Sequence, residues 1–342
     1  MSSSRKASDP IDATTAPAPL AATGAVSVPG RHPRDARAVA EAGALLVMVA
    51  WAANFVVVKG AIAVAPPIGF AFVRFLLAGV VLLAILRWRE GSVGVPRRVV
   101  VPVALIGGLG FGLYQILWAT GLTVTTAGTS ALIVATTPIW TVLVAIAMRT
   151  EAAHRARFVG AAVGFAGVAL VVAARGLDLA VTGFGDLLTL AAAVCWGSYL
   201  ALSAPLLTTL SPLRLTTWAI LFGTAVMAVP GSAQLAAAGS AWVGPAIVGA
   251  IVYSGIVAGG LANVIIFRAI AVVGPSHVAN LQLLVPALTV LVAAAALGEP
   301  ILAGQVVGGA VIVTGILIAR RAPVGPPPGG RRVPEPAPLL EA

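Results

Sequence analysis

Charge is what this chain has least of. Charged side chains make up 9% of its 342 residues while hydrophobic ones reach 59%; soluble domains carry roughly a quarter charged residues. A water-soluble fold with so few charges has too little polar surface to face solvent, so that class is excluded. Strict apolar/polar alternation is missing too. The apolar stretches run roughly 18–25 residues, which fits spanning helices and not the ~10-residue alternating strands of a barrel. Cysteine is reduced to Cys195, inside an apolar stretch. It allows no intramolecular disulfide and no metal cluster, and reads as a small core residue. The three histidines are His32 in the N-terminal tail, His154 in a loop and His277 at a span end. No paired His/Asp/Glu constellation results, which argues against an intramembrane enzyme, and no P-loop signature for a built-in ATPase is present. No cofactor or metal is expected.

What the chain does have is a succession of apolar segments. Ten spans are predicted, at roughly 42–64, 67–87, 99–120, 126–148, 157–174, 183–205, 213–230, 243–268, 275–297 and 302–319. Connections are short and leave no extramembrane domain. Residues 1–40, rich in Ala, Pro, Ser and Thr, lack the apolar run of a signal peptide and read as a disordered cytoplasmic tail; residues 321–342, with Gly325-Pro326-Pro327-Pro328-Gly329-Gly330, read as a second. The net charge of +10 does not signal nucleic acid, because the basic residues lie in clusters between spans. With the N-terminus inside, 18 of the 21 Lys and Arg fall on the inner side, and only Lys59, Arg74 and Arg175 lie outside. That bias places both termini in the cytoplasm. The lipid bilayer and a small-molecule substrate are the expected partners, and a homodimer stays open.

The chain also repeats itself. Shifted by 148 residues, 138–168 aligns without gaps on 286–316, with thirteen of 31 positions identical, Pro138/Pro286, Glu151/Glu299, Gly160/Gly308 and Gly167/Gly315 among them. Shifted by 145, Trp51 meets Trp196 and Pro67 meets Pro212. Five spans per half is an odd number, so the second half enters the membrane from the opposite side. The expected architecture is an all-α polytopic membrane protein of ten transmembrane helices, built as two inverted five-helix repeats, 41–174 and 175–320. Inverted halves can open a shared midplane site alternately to either side, as transporters do.

Trp51-Ala52-Ala53-Asn54-Phe55, Phe72-Val73-Arg74-Phe75-Leu76-Leu77-Ala78-Gly79, Thr137-Pro138…Glu151 and Val285-Pro286…Leu297-Gly298-Glu299 together resemble the EamA-like branch of the drug/metabolite transporter superfamily, over residues 42–320. The resemblance implies ten helices around a central cavity and movement of metabolites, often amino acids or related solutes, across the inner membrane, with an inclination to export. One departure is visible: Met148-Arg149-Thr150-Glu151 stands where the family tends to show an apolar-Gly-Glu turn.

Polar and aromatic residues inside spans are the candidates for a substrate site. Trp51 and Asn54 align with Trp196 and Tyr199, and Gln115 aligns with Asn263. Tyr114 and Trp118, four apart, share a helix face beside Gln115, and Asn280 and Gln282 add amides to span nine. Amides would hydrogen-bond a solute and rings would cover its apolar part; the alternative is a set of interhelical hydrogen bonds and interfacial aromatics. Two positions are open to Arg74, snorkelling outward or facing the cavity to attract a carboxylate. Lys59 reads as a surface anchor. Pro138 and Pro286 fall mid-span, where each frees a carbonyl, of Val134 and Gln282, either as a hinge or as a static kink. Gly108/Gly112, Gly160/Gly164, Gly255/Gly259 and Gly304/Gly308 mark close helix approaches. All eleven acidic residues lie in tails, loops or span ends, which argues for facilitated or exchange transport over obligate proton coupling, with His277 the one histidine placed to substitute.

Overall fold

The computed structural model describes residues 33–149, 153–174, 182–273, 281–282 and 284–321. Every regular element among them is helical, as an apolar surface without backbone donors and acceptors requires. The helices are α1 (Pro33–Ile62), α2 (Pro67–Glu90), α3 (Arg97–Val124), α4 (Ala127–Ala147), α5 (Arg155–Ala173), α6 (Thr182–Ser203), α7 (Pro212–Ala238), α8 (245–273), α9 (Leu284–Leu297) and α10 (Ala303–Ala319). Eight are long and apolar enough to cross a membrane; α9 and α10 are shorter apolar helices among the described residues. Their outer faces carry Leu46, Leu105 and Val229, 70%, 69% and 78% exposed, while Thr129, Ser130, Thr189 and Gln305 are buried. Apolar outside and polar inside is the arrangement lipid selects.

Two of the boundaries that differ from the sequence reading have a visible cause. α1 begins at Pro33 rather than near 41, because Pro suits a first helical turn and Arg37 Nε pairs with Glu41 Oε1 one turn on, at 3.0 Å. α7 continues past Pro230 to Ala238. The extension is held by tertiary contacts: Gln234 Oε1 accepts from the N–H groups of Ile68 and Gly69 at 2.9 and 3.1 Å, at the start of α2.

α3 and α8 each contain a wide turn, π-helical over Gly108–Leu113 and Tyr253–Leu261. α4 breaks at Ala135 and Thr136 and restarts at Thr137, so Pro138 occupies the first turn of a new segment, where its missing N–H leaves no gap in the helix. The carbonyls expected to be freed are in fact engaged. Val134 O accepts from the Thr137 hydroxyl at 2.7 Å and Gln282 O from Val285 N at 3.1 Å.

The principal packed pairs are α5 with α10, α2 with α7, α3 with α6 and α7, α1 with α8 and α9, α2 with α8, and α4 with α6 and α9. Glycine permits the closest of them. A Cβ on Gly160 would stand 2.4 Å from Gly315 O, and one on Gly167 2.7 Å from Gly308 O. The Gly255 position lies 2.3 Å from Arg74 O by the same measure.

Charged groups close the helix ends. Lys59 Nζ donates to the carbonyls of Leu122 and Thr125, both at 2.7 Å, so it caps the C-terminus of α3 rather than serving as a bare anchor. The Thr125 hydroxyl in turn donates to the buried carboxylate of Asp186 in α6. Glu299, after α9, accepts from Ala127 N at 2.9 Å and Gly128 N at 3.2 Å, the free donors at the start of α4. Replacing Glu299 by Ala is expected to cost about 1–2 kcal/mol through loss of this cap, read as a lowered thermal midpoint in detergent. Gly298 takes φ +67° at the turn before Glu299; in the first half it is Arg149 that takes a left-handed φ, +58°, and Glu151 lies outside the described residues.

Candidate functional site

Helix periodicity assembles the site. Phe111, Tyr114, Gln115 and Trp118 recur at i, i+3, i+4 and i+7 on α3, and Trp51, Asn54 and Phe55 at i, i+3 and i+4 on α1, so each set shares one face. Both faces turn to a cavity of about 150 Å³ in the middle of the bundle. At ~30 Å³ per water molecule in the liquid, it holds about five waters, or one small solute. α1, α2, α3, α4, α6, α8 and α9 line it; α5, α7 and α10 stand outside.

The structure brings Trp51, Asn54, Arg74, Tyr114, Gln115, Trp118, Trp196, Asn263 and Gln282 to the cavity wall, with Pro138 and Pro286 beside them. Tyr199 is not on the wall. It is 1% exposed, stacked behind Trp196 with ring centroids 5.0 Å apart and edge-on to Phe111 at 5.3 Å. It braces a lining residue. Asn280 and His277 lie outside the described residues. Sequence reasoning missed Phe55, Phe75, Phe111, Thr137 and Ser254, which also line the cavity. For Phe111 the signal was present, since it shares the face of Tyr114 and Trp118.

The aromatic side chains form a connected wall. Tyr114 stacks on Trp118 at 6.2 Å and meets Trp196 at 5.3 Å, and Phe55 packs edge-on against Trp118 at 5.3 Å. Two indole N–H groups are used internally: Trp51 Nε1 donates to Ala258 O at 3.0 Å and Trp118 Nε1 to Ser130 Oγ at 3.1 Å.

Arg74 is the charged element. Of the two positions open to it, it occupies the cavity wall, 1% exposed. Its Nη2 donates to Gln115 Oε1 at 2.6 Å, while its Nε has no hydrogen-bond partner. The guanidinium carbon lies 4.7 Å from the Phe75 ring centroid and 5.7 Å from those of Phe70 and Trp118. Asn263 Nδ2 donates to Gly259 O at 2.8 Å in the wide turn of α8, and Asn54 Oδ1 is buried without a partner. No Asp or Glu is among the described lining residues. Among the described residues no group of three His, Cys, Asp or Glu is placed to hold a metal ion.

An all-helical bundle with an apolar exterior and a polar, aromatic cavity at its centre defines a multi-pass membrane protein with a solute-sized interior. The EamA-like transporter family matches residues 39–173 and, a second time, 183–321. The chain belongs to that family and is a membrane transporter. An uncharacterized transporter of Archaeoglobus fulgidus is 27% identical over 275 residues, covering 80% of this chain and 94% of its own. A Streptantibioticus cattleyicolor protein named a probable terminal-alkyne amino-acid exporter is 30% identical over 284 residues, 82% and 93% of the two chains. A Salmonella typhimurium protein named a probable amino-acid metabolite efflux pump is 31% identical over 159 residues, 45% of this chain and 49% of its own. A crystal structure 22% identical in sequence superposes with a TM-score of 0.60, covering 82% of this chain and 98% of the other, and shares the fold.

Proposed function

We propose that this transporter carries a small metabolite, an amino acid or related solute, outward across the inner membrane, alternating access to the central cavity between two inverted five-helix halves. The cavity carries the reading, because both halves build it: α1–α4 from one and α6, α8 and α9 from the other. Several observations support the symmetry. Exchanging each helix for the one five places on leaves the principal packed pairs unchanged. The wide turns of α3 and α8 begin at 108 and 253 and precede the equivalent amides Gln115 and Asn263. Gly160 meets Gly315 while Gly167 meets Gly308, the reciprocal contact of a two-fold axis. Ten crossings with both termini cytoplasmic accord with the Lys and Arg distribution. The relatives named an exporter and an efflux pump support the outward direction.

The described lining residues include no carboxylate, so the cycle is proposed to run by facilitated or exchange transport without obligate proton coupling. The test is counterflow of a labelled amino-acid mixture in vesicles containing the full chain, with and without a pH gradient. Substituting Asn54, Gln115 or Asn263 by Ala is expected to lower flux at least fivefold, about 1 kcal/mol of lost solute binding, with the protein still monodisperse. Native flux in all three variants would remove the site; a strict requirement for the gradient would remove the coupling scheme.

A further inference from the structure

A fixed positive charge stands in the cavity wall with no acid beside it among the described lining residues. A guanidinium keeps its proton even when buried, and a charge withdrawn from water at membrane depth is unfavourable unless paired. Arg74 makes no ion pair among the described residues. Its present neighbours, the Gln115 amide and three ring faces, stabilise a cation without neutralising it. The planar fork of an arginine is matched best by a carboxylate, which takes two of its N–H groups at once.

The composition of the wall restricts the cargo further. An ammonium group entering the cavity finds no carboxylate on the lining residues, and it arrives beside a charge of its own sign. A zwitterion therefore leaves the site with a net charge of +1, and a dianion leaves it at −1. A monoanion leaves it neutral. The remaining lining, with the half-buried Tyr114 and Trp196 rings backed by Trp118, suits an apolar or aromatic body.

We infer that the preferred cargo is a monoanionic carboxylic acid with an apolar or aromatic body, gripped through Arg74, and that an α-amino group on it is dispensable. This rests on the transporter reading above and narrows its solute class. Gln115 is then the group that holds Arg74 in the empty site, and the cargo carboxylate takes its place on the guanidinium.

Four probes of one skeleton test it by tryptophan fluorescence and thermal shift on the detergent-purified full chain at about pH 7.5, where the carboxylates are ionised and the amines protonated: 3-phenylpropionate, 3-phenylpropionamide, L-phenylalanine and 2-phenylethylamine. Trp51, Trp118 and Trp196 report from the wall. The expected result is that 3-phenylpropionate binds at least tenfold more tightly than its amide, and at least as tightly as phenylalanine. Arg74→Gln should bring acid and amide within threefold of each other, and Arg74→Lys should keep an intermediate preference. Equal affinity of native protein for acid and amide needs no variant and overturns the inference, as does a tenfold preference that survives in Arg74→Gln. Phenylalanine binding tenfold more tightly than 3-phenylpropionate also overturns it, while leaving the transporter reading intact. No saturable response from any of the four would overturn the inference and leave the transporter reading intact.

Discussion

Gln115→Glu is expected to give a protein that folds as well as the native chain and moves almost no solute. The Gln115 side-chain oxygen lies 2.6 Å from Arg74 Nη2, so a carboxylate of the same size replaces a neutral acceptor by a charged one without repacking. A buried arginine with a hydrogen-bonded acid partner is better compensated than one with an amide, and the thermal midpoint should hold or rise. The same substitution occupies the guanidinium permanently and repels an incoming anion. Losing one partner of a buried charge pair is typically worth about 2–5 kcal/mol, so flux should fall by about two orders of magnitude. Gln115→Leu separates the two effects. It leaves the cation without an acceptor and should destabilise the fold by about 2 kcal/mol. Near-native flux in Gln115→Glu would mean that the charge of Arg74 is not read by the solute.

Gly160→Leu is expected to have the largest effect on the fold. Lipid gives helices no hydrophobic reason to associate, so α5 and α10 are held by close packing of their backbones. The hydrogen that stands for a side chain at Gly160 faces Gly315 O and Ala319 N, at 2.4 and 2.6 Å from a would-be Cβ. Backbone atoms cannot swing away as a side chain's end can. Separating the helices should cost about 3 kcal/mol or more, seen as loss of the monodisperse peak in mild detergent. Gly315→Leu should do the same, and the double variant should be little worse than either single one because both break one contact. Gly249→Leu, where a Cβ would meet nothing within 4 Å, is the control and should be neutral or slightly stabilising.

Much of this was legible in the residues. Runs of apolar residues located the helices because lipid tolerates only helices and closed barrels and the runs are too long for barrel strands, and three- and four-residue spacings put Trp51, Asn54, Tyr114, Gln115 and Trp118 on faces that meet. Tyr199 shows the limit of that reasoning. It shares helix α6 with Trp196 and lies three residues on, yet its ring is turned against Gly110 of α3, and only the packing of a neighbouring helix decides that. The position of Arg74 was open for the same reason: one charge in an apolar run does not say which way it faces. Glu299 was visible only as a repeat marker, since its role as a cap depends on α4 starting beside it. The wide turns of α3 and α8 left no trace in hydropathy, because one extra residue in a turn rich in glycine leaves the apolar composition unchanged.

Those turns bear on how the interior can be remodelled. Each holds one surplus residue of backbone shortly before an amide on the wall, Gln115 in one case and Asn263 in the other. Passing a single residue through such a segment rotates the next stretch of helix by about 100°, the angle between neighbours on an α-helix. Such a step in α3 would move Gln115 away from Arg74. On the proposed alternating-access cycle, such a step is expected to accompany solute release.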